Sequence, residues 1–166
     1  METEKLYVEQ VNILGNDITQ ENVIRDALEV DEGDPFNELL HAKSLNNLKA
    51  KNIFKTVESE VLDGSDLNTK IININVVEKP TGEIMLGAGV GSSGGTIGFS
   101  ISENNFMGQG IKLSTAIRIT EDEIRGNFTT TTPNYKYSGK SLTTNIQSDV
   151  VDKMADSGYE STKTGF

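Results

Sequence analysis

A few places in the chain carry residue types that do chemistry in other settings. Gly89-Val90-Gly91-Ser92-Ser93-Gly94 spells a dinucleotide fingerprint, whose glycines let backbone amides approach a pyrophosphate held on a helix N-terminus. Thr96 to Ser102 alternates as a strand instead, so the required helix is missing and no nucleotide cofactor is expected. Glu121-Asp122-Glu123 offers oxygens of the kind calcium takes, but three acids in a tight break between strands read as a solvated turn. His41 is the single histidine, and with no paired carboxylate or thiol it reads as an exposed side chain of a helix. Asn127-Phe128-Thr129 is a glycosylation sequon by spelling only, because it falls inside a strand run. The absence of cysteine excludes disulfides, thiolate metal sites and cysteine nucleophiles. No catalytic residue, cofactor or metal ligand set emerges, and the chain reads as a non-enzyme.

The elements that surround these residues are more informative. From Glu83 to Ser148 apolar residues return at every second position, with glycine-rich or acidic breaks between the runs. Ile84, Leu86, Ala88 and Val90 alternate with Met85, Gly87, Gly89 and Gly91, and Ile97, Phe99 and Ile101 alternate with Gly98, Ser100 and Ser102. Ile111, Leu113, Thr115, Ile117 and Ile119 stand against Lys112, Ser114, Ala116 and Arg118. A soluble sandwich fills its inward face with apolar groups; a small polar face opposite a greasy one suits a watery lumen and lipid. The runs are Glu83 to Gly91, Thr96 to Asn104, Ile111 to Thr120, Ile124 to Thr132 and Lys140 to Ser148, with a further run beginning at Tyr159. Each of the five is nine or ten residues long, and membrane strands need about 9 to 11. Five or six strands fall short of the roughly eight that close a barrel, so an incomplete outer-membrane β-barrel is expected.

The chain has 166 residues and a net charge of -10, with a pI near 4.6. That balance argues against nucleic acid as a partner. No apolar run approaches the ~20 residues of a spanning helix, and mean hydropathy is -0.37, as alternating strands produce. Met1 to Lys5 is acidic with no apolar stretch behind it, so no signal peptide is read and the chain is expected to be an internal piece of a longer protein.

Composition changes near Pro80, which predicts two domains, 1–79 and 80–166. In the first, Val8, Val11 and Ile13 predict a strand ending at Gly15-Asn16. Thr19 is read as the N-cap of a helix of two to three turns carrying Val23, Ile24, Ala27 and Leu28. Asp34 is read as the cap of a second helix with Pro35 at its first position, burying Phe36, Leu39, Leu40, Leu45 and Leu48 and stopping at Asn52. Strands Phe54 to Val61 and Lys70 to Val77 follow, joined by Asp63-Gly64-Ser65-Asp66, with Ile72, Ile74 and Val76 on one face. The order strand, helix, helix, strand, strand buries one sheet face under two helices and is able to fold alone.

These residues resemble the membrane-proximal POTRA domain and first barrel strands of the BamA-type barrel-assembly family. The POTRA match rests on Val8, Val11, Ile13, Gly15-Asn16, Val23-Ile24-Arg25, Glu32-Gly33-Asp34, Leu48 and Phe54-Lys55-Thr56-Val57. The barrel match is more specific: Glu78-Lys79-Pro80-Thr81-Gly82-Glu83, Gly87-Ala88-Gly89-Val90, and Glu103-Asn104-Asn105-Phe106-Met107-Gly108-Gln109-Gly110 occur in the family's order and spacing. Asp26-Ala27, Lys51-Asn52 and Val90 depart from the usual residues. The fold class implied is an α+β POTRA domain (β-α-α-β-β) followed by antiparallel transmembrane β-strands.

The resemblance further implies an outer-membrane protein of the Gram-negative type with its POTRA domain in the periplasm, where unfolded outer-membrane proteins are received, without any nucleotide or chemical step. Its partners would be those substrates, the lipoproteins of an assembly complex, periplasmic chaperones and outer-membrane lipid, and not nucleic acid. The substrate-pairing edge would be Gly82, Glu83, Ile84, Met85, Leu86, Gly87, Ala88, Gly89 and Val90, where unpaired backbone groups draw an incoming strand to pair by β-augmentation. Arg25 and Glu32 occupy the positions of the lipoprotein-docking surface, or else are solvated surface groups. A two-partner secretion or TamA-like translocation protein of the same build is the alternative, and a soluble α+β adaptor with an ordinary glycine-rich sheet is a third reading.

Overall fold

The computed structural model describes residues 5–91, 94–153 and 158–166, with the backbone alone at Tyr137 and Lys153. The chain divides into two compact units, Met1–Pro80 with Met107–Gly110, and Thr81–Phe106 with Ile111–Phe166.

The first unit runs β1 (Tyr7–Leu14), α1 (Glu21–Arg25), α2 (Glu38–Ala50), β2 (Phe54–Asp63) and β3 (Thr69–Glu78). Its sheet order is β1-β3-β2, with β3 parallel to β1 and antiparallel to β2. Period-two alternation puts Ile72, Ile74 and Val76 on one face of the central strand, and all three are buried in one cluster with Val23 and Ile24 of α1 and Leu48 of α2.

Both helix starts differ from those expected. Thr19 is not a cap: it is buried, and its amide and that of Ile18 donate to the Glu78 carboxylate at 2.6 and 2.9 Å. The helix begins after Gln20 and ends at Arg25, because the amides of Ala27 and Leu28 donate to Ile24 and Arg25, three residues back, in a tighter turn. The cap of α2 is Asn37, whose side chain accepts from the Leu39 and Leu40 amides, while Asp34-Pro35 lies outside the helix with Pro35 bridged to Tyr7. Shifting the start rotates the buried stripe: Leu39 is 80% exposed, and Ser44 and Leu48 are the buried residues of α2. Asn52, at φ 58°, ends that helix as read. In the same unit the Gln20 amide donates to the Gly108 carbonyl at 2.8 Å.

The second unit is one antiparallel sheet in the order β4-β5-β6-β7-β8-β9. Its strands are β4 (Gly82–Gly91), β5 (Gly94–Phe106), β6 (Ile111–Thr120), β7 (Glu123–Thr132), β8 (Leu142–Lys153) and β9 (Tyr159–Gly165). β8 starts and ends later than the sequence rhythm indicates, and a short 3-10 turn at Tyr135–Tyr137 lies in the connection before it. Register carries the alternation across strands. Ile84, Ile101, Thr115, Phe128 and Ile146 form one row, and Leu86, Phe99 and Ile117 the next on the same face. Gly87, Gly98, Arg118, Arg125, Asp149 and Lys163 form a row on the other. Among the described residues no apolar side chain of this unit is buried; mid-sheet Phe99, Ile117 and Phe128 are 38%, 44% and 40% exposed. An apolar face of that extent, uncovered by protein, is far beyond the scattered apolar residues of soluble surfaces. No described helix is long and apolar enough to cross a membrane, which says nothing of strands.

Candidate strand-pairing edge and docking surface

The nine residues Gly82 to Val90 lie together on β4, at one end of the sheet order. β4 pairs with β5 through ten consecutive partners, from Gly82↔Glu103 to Gly91↔Gly94, and among the described residues no strand pairs with its other side. Every residue of β4 is exposed. Ile84, Leu86, Ala88 and Val90 continue the apolar face, and Glu83, Met85, Gly87 and Gly89 the opposite one. A Cβ placed at Gly87 or Gly89 would meet nothing within 4 Å, so packing does not demand glycine there. What glycine supplies is a backbone that bends and untwists at little cost.

The start of β4 is held differently. The Thr81 hydroxyl donates to Glu103 Oε1, the Asn105 amide donates to the same oxygen at 2.7 Å, and the Asn104 amide donates to the Thr81 carbonyl at 3.3 Å. In the sequence Glu103 stands out only as the single acid near the end of the otherwise uncharged run Thr96 to Asn104, which announces no such task.

Arg25 and Glu32 do come together, with Arg25 Nη1 3.6 Å from Glu32 Oε1. Glu21, one helical turn before Arg25, takes its Nε at 2.7 Å, and Asp31 lies 3.7 Å from Nη1. The hydrogen bond from Glu21 raises the Arg25 pKa above its usual value against an opposing effect of burial. Both site residues also grip the backbone of β1: the Val11 amide donates to Glu32 Oε1 at 3.1 Å, and Arg25 Nη2 donates to the Val11 carbonyl at 3.2 Å. Further up the same edge Gly33 donates to the Val8 carbonyl and Val8 to the Asp34 carbonyl. The mixed-sign contact is thus made inside the unit, where it satisfies edge groups that would otherwise invite pairing. Roughly a third of the Arg25 side chain and nearly half of Glu32 stay exposed beside a polar groove lined by Gln10, Asn12 and Asn73.

The remaining chemistry-bearing residues have structural partners. His41 is half-buried rather than exposed, 3.0 Å from the Ser59 hydroxyl, and burial pushes its pKa down. Glu123 pairs with Arg125 at 2.7 Å. Asn127 Nδ2 donates to Asn145 within the sheet. Gly94 opens β5 directly, so a strand follows the glycine motif, whose Ser92 and Ser93 lie outside the described residues. Burial pulls the Glu78 carboxyl up, but the Thr19 hydroxyl and the amides of Ile18, Thr19 and Asp17 outweigh it and hold its pKa below the usual carboxylate range.

Residues 6–79 match the POTRA family, described as surface antigen variable number repeat. The outer membrane protein assembly factor BamA of Neorickettsia risticii (strain Illinois) is 34% identical over 114 residues, which is 67% of this chain and 15% of that protein. The chain therefore spans about a seventh of the length of that relative. The crystal structure of BamA from Haemophilus ducreyi lacking POTRA domains 1-3 superposes with a TM-score of 0.84 at 26% identity, over 96% of this chain and 31% of that one. CdiB from Acinetobacter baumannii shares the fold, with a TM-score of 0.61 at 12% identity, over 97% of this chain and 32% of that one. Residues 6–79 are a POTRA domain, and with the antiparallel strands that follow it the chain belongs to the BamA-type barrel-assembly family.

Proposed function

We propose that the protein works in the assembly and insertion of outer-membrane proteins, its sheet in the outer membrane and its POTRA domain in the periplasm. The single observation that carries this reading is a six-stranded antiparallel sheet with one apolar and one polar face, opened by the glycine-bearing strand β4. Lipid is the occupant of the apolar face, since each charged group there would cost about 2 to 4 kcal/mol at mid-bilayer and the rows described carry none. In hydrocarbon an unpaired backbone group costs several kcal/mol, so whenever the outer edge of β4 is open it attracts a strand that offers matching donors and acceptors. An unfolded outer-membrane protein, received at the POTRA domain, pairs its strand with Gly82 to Val90. Assembly-complex lipoproteins dock on the Arg25 and Glu32 surface, and periplasmic chaperones deliver the substrate.

Depletion of the full-length protein in its host, with folded porins read by heat-modifiable gel mobility, tests the function. Loss of several unrelated porins is expected; loss of one secreted substrate with porins intact would assign a two-partner secretion or TamA-like role instead. For the mechanism, cysteines along β4 and along a substrate's terminal strand should crosslink with a two-residue period in one register. Uniform or absent crosslinking would remove the templating step.

A further inference from the structure

We infer that Glu103 is the positioning residue that sets the register of β4 against β5, and thereby which residues of β4 are presented at the free edge. The inference rests on the templating role proposed for β4. Side chains ordinarily fix register, because a slip moves them to the wrong partners or the wrong face, and glycine-rich strands lose that control. The outer half of the β4–β5 pair is such a case. Gly87↔Gly98, Val90↔Gly95 and Gly91↔Gly94 each place at least one glycine in the pair, and a Cβ at Gly87, Gly89, Gly91 or Gly95 would touch nothing within 4 Å. Ala88↔Ile97 is the one pair of that stretch with side chains on both strands, and alanine's methyl offers little to resist sliding.

The opposite end of the pair is anchored. Glu103 faces Gly82 in register, and its Oε1 takes both the Thr81 hydroxyl and the Asn105 amide. The Asn105 amide orients the carboxylate from within its own strand, and the Thr81 hydroxyl reaches it from the residue before β4. The Thr81 carbonyl in turn takes the Asn104 amide. Sliding β4 by two residues would replace Thr81 opposite this acceptor by Glu83 or Lys79, and neither carries a short hydroxyl. A carboxylate acceptor is stronger than a neutral one, which suits the one side-chain acceptor described for Thr81 beside the backbone bond from Asn104.

The test reads register inside the protein, independently of any substrate. The chain has no cysteine of its own, so Met85→Cys with Ser100→Cys, which are direct partners, reports the native register. Met85→Cys with Ser102→Cys reports a two-residue slip, since a diagonal pair lies about 7–8 Å apart between Cα atoms and closes poorly. In the full-length protein in native membranes, Glu103→Ala is expected to raise the ratio of slipped to native disulfide roughly tenfold, equivalent to about 1.4 kcal/mol. Glu103→Gln keeps an acceptor oxygen and is expected to restore the native ratio. Thr81→Val removes the donor from the other side and is expected to shift the ratio the same way as Glu103→Ala, which covers the case in which the latter fails to accumulate. An unchanged ratio in Glu103→Ala and Thr81→Val overturns the inference. Altered register with normal porin assembly leaves Glu103 as the register residue and overturns the templating role of β4 instead.

Discussion

Val11 and Glu32 are joined across the edge of β1: the Val11 amide donates to Glu32 Oε1 at 3.1 Å, although the residues are 21 positions apart and Val11 is otherwise core. Removing the carboxylate leaves an edge amide without its acceptor. Glu32→Ala is expected to lower the stability of the POTRA domain by about 1 kcal/mol, and Glu32→Gln by less, because the amide oxygen still accepts. Urea unfolding of a soluble POTRA fragment compares the two. Equal losses would mean that charge, rather than the hydrogen bond to Val11, is what matters at this position.

Acid should loosen the loop before α1. The Glu78 pKa is held below its usual value by the Thr19 hydroxyl and three amides. A carboxyl whose folded pKa is depressed stabilises the fold above its unfolded pKa, and that stabilisation is lost as pH falls through the folded value. Thermal unfolding of the POTRA fragment from pH 7 downward should therefore fall less steeply below about pH 4.5 in Glu78→Gln than in the unaltered protein.

Gly15 is a glycine that packing does demand. It sits at φ +86°, and a Cβ there would run into the Val76 carbonyl. Gly15→Ala is expected to cost about 1–3 kcal/mol, through the positive φ and the displaced strand end. By contrast Gly87→Ala with Gly89→Ala meets open space. It should stiffen β4 and hold the folded sheet better by about 0.5–1 kcal/mol per site while slowing porin assembly. Pulse-chase of a porin into its heat-modifiable form measures the second effect; unimpaired assembly would detach edge softness from function.

The two faces of the sheet should differ in their tolerance of charge. Ile117→Lys on the apolar face is expected to cost about 2–4 kcal/mol and to reduce the folded fraction of the full-length protein, whereas Ser100→Lys on the polar face should be accommodated. Heat-modifiable mobility of the protein itself reads both, and equal damage would contradict the assignment of lipid to the Ile117 side.

The barrel strands were legible because their alternation is strict and their breaks are rich in glycine and acids: β6 begins and ends at Ile111 and Thr120, as the rhythm alone indicates. Helix starts were less so. Thr19 and Asp34 have good capping side chains, but Glu78 claims the Thr19 amide from 59 residues away, and the Asp34 carbonyl is taken up by Val8 on the β1 edge. Local propensity yields there to tertiary hydrogen bonding. The double use of Arg25 and Glu32 was illegible for the same reason, since nothing in the spacing of residues 11, 25 and 32 announces a shared backbone partner. That Gly82 to Val90 form one strand was legible from their alternation, whereas the anchoring of its first residues by Glu103 depends on a register that only the paired strands reveal.

The sheet of the second unit has no interior of its own, since none of its described apolar side chains is buried. Water cannot mature such an object. The POTRA domain, which carries a dry centre around Ile24, Leu48 and Ile74, is able to ripen in an aqueous compartment, while the strands beyond Pro80 reach their final state only when hydrocarbon arrives to wet the Ile117 side. The two halves of the chain thus call for different solvents, one completing itself in water and the other requiring an apolar medium against one face.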